Sequence, residues 1–409
     1  MTLEPATPLV IRASLLILLA GFGLVACEGG APPADGWAGS VDTLANGVLV
    51  VSNPSQGLWE SGVGSESTPS GPWRLVEDLR IGSVDGEDLE AFGEVRDLVV
   101  DDRGRIHVLD GLAVEIRSFD TDGSALGVMG GEGQGPGELS RPGGMALDPS
   151  GDIWVLDGGN TRYSVFDPDE GFQTVHPRPG IAGSLRWRGA FTTDGRLLDP
   201  TALTTGGTGL VQLNSALEPR DTLALEPFEP ARGFVEDEAR AGVRWPIPFQ
   251  PEFAWSPDPS GRLWWGVNDR FRFVEGTLGG DTLRVIERET DPTPVTAEEI
   301  RDLLGAMRAA NRDADQVPLR AEHFPDTKPA WSSLIPDDEG HLWVAPYDFR
   351  ERPTDRFHIF DPDGRYLGEV RSETPVVPYP IKFREGHLYG VTRDEFDVPY
   401  VVRLRIEGR

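Results

Sequence analysis

Short alternations of apolar and polar residues, separated by glycine turns, run through most of the chain. The clearest are Ile106-His107-Val108 after Gly104, Ile153-Trp154-Val155 after Gly151 and Leu263-Trp264-Trp265 after Gly261. An acidic or turn residue leads into each glycine, as in Asp101 to Gly104 and Asp148 to Gly151. A period of two over a few residues predicts a β-strand with one buried face. A glycine between two such runs predicts a tight turn that needs positive φ. Six copies carry their glycines at Gly104, Gly151, Gly195, Gly261, Gly340 and Gly386. Successive glycines lie 47, 44, 66, 79 and 46 residues apart, a base period with two long insertions.

Several copies continue beyond the first two strands. Val114 to Asp120, Arg162 to Asp167 and Arg356 to Asp361 read as third strands, with turns at Gly123, Gly171 and Gly364. Arg365 to Val370 reads as a fourth. Four short antiparallel strands per period predict a propeller blade. The expected fold is therefore all-β, a six-bladed β-propeller over residues 41–409 with four-stranded antiparallel blades. The last copy reaches its third strand at Tyr400 to Ile406 and has no fourth. A spare strand, Trp73 to Ile81, precedes the first copy. Assigning this N-terminal strand to the outer edge of the last blade closes the ring and removes free sheet edges. Val48 to Val51 is a further strand without an assigned place. Three residues after the glycines stand His107, Trp154, Leu198, Trp264, Trp343 and Tyr389. Recurrent large rings at one strand position predict blade-to-blade core, with His107 buried and hydrogen-bonded. His341 and His387, beside their glycines, are expected to be solvated.

One insertion predicts a helix. Thr296 and Glu299 form a capping-box pair, and Ile300, Leu303, Leu304 and Met307 share one face. This helical insert, 296–312, is expected to lay its apolar stripe on the blades as a partial lid; a partner-binding face is the alternative. Residues 230–251 lack a clear period and read as a second loop.

The segment Gly159-Asn160-Thr161-Arg162-Tyr163-Ser164-Val165-Phe166-Asp167, after Gly151 to Asp157, resembles an NHL repeat. The glycine-rich run Gly130 to Glu138 resembles the inter-blade linker of the same repeats. The first two copies match well, and the others keep the glycine turn without the Asn-Arg signature. As a whole the chain resembles six-bladed β-propeller lipoproteins of environmental bacteria, a group without a settled activity. That resemblance implies a fold much more firmly than a function.

Composition adds location and exclusions. The chain has 67 acidic against 38 basic residues, a net charge of −29, so no nucleic-acid partner is expected. Its 50 glycines and 35 prolines, beside 11 tryptophans and 18 phenylalanines, suit many turns around an aromatic core rather than disorder. The single cysteine, Cys27, ends Leu24-Val25-Ala26-Cys27 after a 14-residue uncharged stretch. That stretch is too short for the roughly 20 residues that span a bilayer. It reads as a lipoprotein signal peptide over 1–26, with lipid on Cys27 and a flexible tether over 27–40. The chain is therefore expected to be exported and held to the membrane of a bacterial cell envelope by that lipid, on the periplasmic face or the outer membrane. A cysteine consumed by lipid leaves no disulfide, so the fold must rest on its core.

No compact catalytic motif stands out. There is no Gly-x-Ser-x-Gly, no histidine pair with zinc spacing, and the glycine run at 130–137 lacks the Lys-Ser/Thr of a phosphate cradle. Candidate chemistry lies at the face where inner strands begin. Arg96, Arg141, Arg188 and Tyr379 open inner strands and are expected to rim the channel, facing an anionic or carbonyl-bearing ligand. Asp110, Asp157, Asn268 and Asp348 end second strands and are candidate oxygen ligands for Ca²⁺. Structural Asp–Arg pairs compete with that reading. The expected function is a binding module for a small molecule or protein at this top face, bordered by the Thr296 helix and the Gly130–Glu138 loop. The alternative is a metal-assisted hydrolase or lyase of the lactonase type, supported by fold analogy alone.

Overall fold

The structure, a computed structural model, describes residues 37–60, 71–84, 89–178, 187–202, 208–225, 233–237, 240, 242–258, 260–310, 317–348 and 352–409. The expected signal peptide and lipidated Cys27 lie outside the described residues. The described end of the expected tether is not loose. Trp37 is buried and donates from its indole to Asn53, and Ser40 already begins a strand.

The chain is all-β apart from short helical segments, and four-stranded antiparallel sheets recur along it. The first contains Val95–Val100, Ile106–Asp110, Glu115–Phe119 and Ala125–Gly130 in sequence order. The second contains Pro142–Leu147, Ile153–Asp157, Arg162–Asp167 and Gly171–Pro177. The third runs from Ala190–Phe191 to Pro219–Leu225. Phe253–Pro257 to Thr282–Arg288 make the next four, extended by two N-terminal strands into a six-stranded sheet. Leu49–Asn53, the run without an assigned place, lies parallel to Thr282–Arg288, with Ser40–Thr43 outside it. The remaining strands form one eight-stranded sheet. In it Trp331–Pro336 to Tyr366–Val376 lead through Arg74–Ile81 to Pro399–Glu407, His387–Arg393 and Ile381–Arg384. Arg74–Ile81 pairs antiparallel with Pro399–Glu407, from Val401 opposite Ile81 to Glu407 opposite Arg74.

Each sheet packs on the next. Ile116 and Leu109 meet Ile153 and Val155, Trp154 and Tyr163 meet Leu197 and Leu213, and Leu198 and Leu223 meet Leu263 and Leu278. Phe273 and Ile286 share a core with Trp343 and Phe360, continuous with Leu388 and Val402. Tyr389, Val391 and Val401 then pack on Ile106, Val108 and Phe119 of the first sheet, so the series returns to its start. Burying a large aliphatic or phenyl side chain stabilises by about 1.5–3 kcal/mol. Distributing such side chains around every interface makes the ring one cooperative core.

The repeat explains its own turns. Asp101 Oδ1 accepts the amides of Arg103 and Arg105, and Asp337 Oδ1 accepts those of Glu339 and His341. The glycine between takes positive φ, 79° at Gly104 and 90° at Gly340. The second carboxylate oxygen reaches the ring three residues beyond the glycine, as in Trp154 Nε1 to Asp148 and Trp343 Nε1 to Asp337 at 3.1 Å. All six of these positions are buried. His107 is fully buried, with Nδ1 2.8 Å from Ser118 Oγ.

Two expectations need correction. His341 is mostly buried rather than solvated, its side chain 14% exposed. Trp73 packs edge-on against it, and Arg409 and Asp337 enclose its Nδ1. The helix Ala297–Ala310 forms under the predicted capping box, but its stripe does not lie chiefly on the blades. Leu303 and Leu304 pack with Ile247, Phe249, Val317, Leu319 and Phe324, a satellite core shared by the two insertions. The segment read as a plain loop contributes a hairpin, Phe234–Glu236 with Arg244–Pro246.

Candidate functional site

The ends of the second strands are tied down locally. Asp110 is fully buried, and its carboxylate accepts amides from Gly93, Glu94, Leu112 and Ala113. Asp157 accepts Ser140 N, Asn160 Nδ2 and Arg162 Nε. Arg162 then donates to the carbonyls of Gln134, Gly135 and Glu138, and Asn160 to that of Gly133. The Gly-Asn-x-Arg signature thus pins the glycine-rich linker. Asn268 accepts Glu252 N and donates to Trp331 O, joining two adjacent sheets. Asp348 pairs with Arg352 at 2.8 Å. Among the described residues no three His, Cys, Asp or Glu side chains gather into a metal-binding group.

Four of the inner strands, Ala190–Phe191, Phe253–Pro257, Trp331–Pro336 and Ile381–Arg384, line a cavity of about 240 Å³. Val95–Val100 packs beside Pro142–Leu147 and Ile381–Arg384, Pro142–Leu147 beside Ala190–Phe191, and Phe253–Pro257 beside Trp331–Pro336. Arg188, Tyr379, Lys382, Trp255, Ile335 and Phe383 line the space between them. A larger groove of about 440 Å³ lies at the outer edge, between Ala38–Ser40 and Glu287–Glu289. We place the site in the channel. The groove is lined by the N-terminal strands and by Glu287, Arg288 and Glu289 of one sheet, whereas the channel gathers side chains from inner strands of several sheets far apart in sequence.

All four residues predicted to rim the channel stand at or just before inner strands, but two reach the cavity. Arg188 and Tyr379 do, stacked with the guanidinium carbon 5.0 Å from the ring centroid. Arg96 is drawn to Glu94 at 2.7 Å. Arg141 is exposed, with φ 46°, and is not part of the lining. No residue of the Thr296 helix or of the Gly130–Glu138 loop lines the cavity, so the expected border of the site is corrected.

Three residues escaped the sequence reading. Asp97 is completely buried and takes amides from Leu98 and Met145, the Tyr379 hydroxyl at 3.0 Å, and Lys382 Nζ at 3.7 Å. It is the one acid of the strand Val95–Val100 and directly precedes the apolar run Leu98-Val99-Val100, which is the signal that could have found it. Lys382 is one of two lysines in the chain, so its place in an inner strand is conspicuous afterwards. Trp187 donates its amide to Gly143 O, its indole to Asp199, and accepts from Tyr379 through its carbonyl at 3.3 Å. A Cβ on Gly144 would stand 2.4 Å from that carbonyl and 3.0 Å from Asp97 Oδ2, so this crossing requires glycine. Behind it Asp199 holds Arg178 through two bonds at 2.9 Å and Tyr163 at 2.6 Å. Burial and the Asp199 carboxylate push the Tyr163 phenol well above its ordinary range, so it stays protonated as a donor.

No protein-family model matches the chain. NHL repeat-containing protein 3 of Mus musculus is 32% identical over 152 residues, covering 33% of this chain and 42% of that protein. The Homo sapiens protein of the same name is 32% identical over 147 residues, with the same coverage. The chain thus spans about two fifths of the length of these curated relatives. A crystal structure of a candidate exported protein of Bacteroides fragilis covers 88% of this chain and 99% of its own, with 10% identity and a TM-score of 0.51. Repeat, sheet series and these similarities define an NHL-like β-propeller.

Proposed function

We propose that this chain is an exported six-bladed propeller, tethered through lipid on Cys27, that binds a small molecule in its central channel. Six blades follow if the eight-stranded sheet is divided where Arg371 and Ser372 meet Arg74 and Leu75 over two residues. The observation that carries the binding role is the cavity itself. It sits where four inner strands converge, and it joins cationic and aromatic side chains on a preformed frame. The tight network around Asp97 supports preorganisation, since Tyr379 and Lys382 are both oriented by one buried carboxylate.

Export and anchoring rest on the apolar run ending at Cys27. Cys27→Ser should accumulate as an unlipidated precursor, read by intact mass and detergent partitioning. Normal maturation of that variant would remove the anchoring claim. For binding, equilibrium dialysis against a defined mixture of small metabolites should show retention by the wild type. Ser333→Trp, which fills the channel, should lose that retention while keeping its circular dichroism. Retention by both proteins, or by neither, would overturn the channel reading.

A further inference from the structure

We infer that the channel takes a small organic anion with a flat apolar body, its carboxylate held by Arg188 and its ring lying against Trp255. This rests on the channel reading above and adds the chemical class. Arg188 is exposed at the start of an inner strand and lines the cavity. Among the described residues it forms no ion pair, and the preceding residues 179–186 contain no Asp or Glu. In a chain of net charge −29, Arg188 brings to the channel a guanidinium that no described acid neutralises. The guanidinium carbon lies 5.0 Å from the centroid of the Tyr379 ring, and Tyr379 is itself held by Asp97. A planar fork seated over an aromatic ring suits a carboxylate better than a point charge would.

Of the two acids of the same lining, Asp337 is buried and engaged, and Asp338 is exposed with one oxygen bound to a backbone amide. Asp337 is bound by Arg409, His341 and Trp343, and Asp338 accepts the amide of Glu385 at 2.9 Å. Burial raises the Asp337 carboxyl, but these donors outweigh it and hold it below the usual carboxylate range, so it stays an engaged anion. Lys382 adds a second cation, loosely paired with Asp97 at 3.7 Å. The rest of the wall is apolar, with Trp255, Ile335 and Phe383 presenting flat or branched surfaces. At about 240 Å³ the cavity is below the roughly 300–1,000 Å³ that holds drug-sized ligands, so the anion must be small.

Phenylacetate is the matched probe, with benzyl alcohol as its neutral analogue and acetate as the anion without a ring. Titration calorimetry on the intact folded protein should show phenylacetate binding at least tenfold tighter than either control. Arg188→Gln should weaken phenylacetate at least tenfold and leave benzyl alcohol unchanged. Trp255→Leu should weaken phenylacetate toward the level of acetate. Arg141→Gln, which changes an exposed arginine outside the lining, should bind like wild type. Melting curves confirm that each variant is folded. Raising the salt concentration on wild-type protein gives a test without substitution, because phenylacetate affinity should fall and benzyl alcohol affinity should not. Equal affinity for phenylacetate and benzyl alcohol would overturn the anion assignment and leave the channel reading standing. No binding of any probe to wild type would overturn both.

Discussion

At the level of single residues, the buried acids hold the ring together. Asp110 satisfies four backbone amides, so Asp110→Ala leaves donors buried without partners. It should cost about 3–5 kcal/mol in denaturant unfolding, the scale for removing one member of a buried polar network. Gly144→Ala should cost about 1–3 kcal/mol by overpacking, because the new methyl meets backbone rather than a movable side chain. His358 gives a pH signature. Burial, with Arg288 and Arg356 nearby, pushes its imidazole down to about 3. An unfolded histidine titrates near 6.5. Stability from neutral His358 is therefore present above about pH 6.5 and lost as pH falls toward 3. His358→Phe should flatten the fall in melting temperature across that window, and an unchanged slope would contradict the assignment. At this scale the sequence was only partly legible. Arg188 and Tyr379 were visible because they open inner strands. Asp97 was not, because one acid in a strand, next to Arg96, gives no clue to its distant partners, Tyr379 and Lys382.

At the level of elements, strands and turns were legible and the insertions were not. Asp-x-x-Gly followed by alternating apolar residues carries its own instructions, since the aspartate closes the turn and orients the ring beyond it. The Thr296 helix was equally visible, with cap and stripe both local. Its partner was not, because Ile247 and Phe249 lie in a segment without periodicity, and the match between two insertions is tertiary. This satellite core predicts partial independence. Leu304→Asp should open the insertions to trypsin at Arg301, Arg308 and Lys328 while the main melting transition shifts little. Loss of the whole transition would show that the insertions are integral to the propeller core.

At the level of the whole molecule, closure is the main structural claim. The missing last strand pointed to Arg74–Ile81 as its replacement, and the structure pairs it there over the length of both strands. The place of Leu49–Asn53 was illegible because it adds, in parallel, to the outside of a sheet already complete. Removing residues 398–409 should unfold the ring as a unit, since the last sheet and the first share a core with Arg74–Ile81. A truncated chain with the wild-type melting transition would refute closure. Function depends on the same ring, because closure brings Arg188, Trp255 and Tyr379 to one cavity. The most direct test is crystallographic soaking with a library of small anionic and neutral fragments. The account predicts fragments in the central channel, carboxylates toward Arg188 and rings toward Trp255. Fragments gathering instead in the outer groove beside Glu287–Glu289 or on the insertions, with the channel left empty, would contradict it.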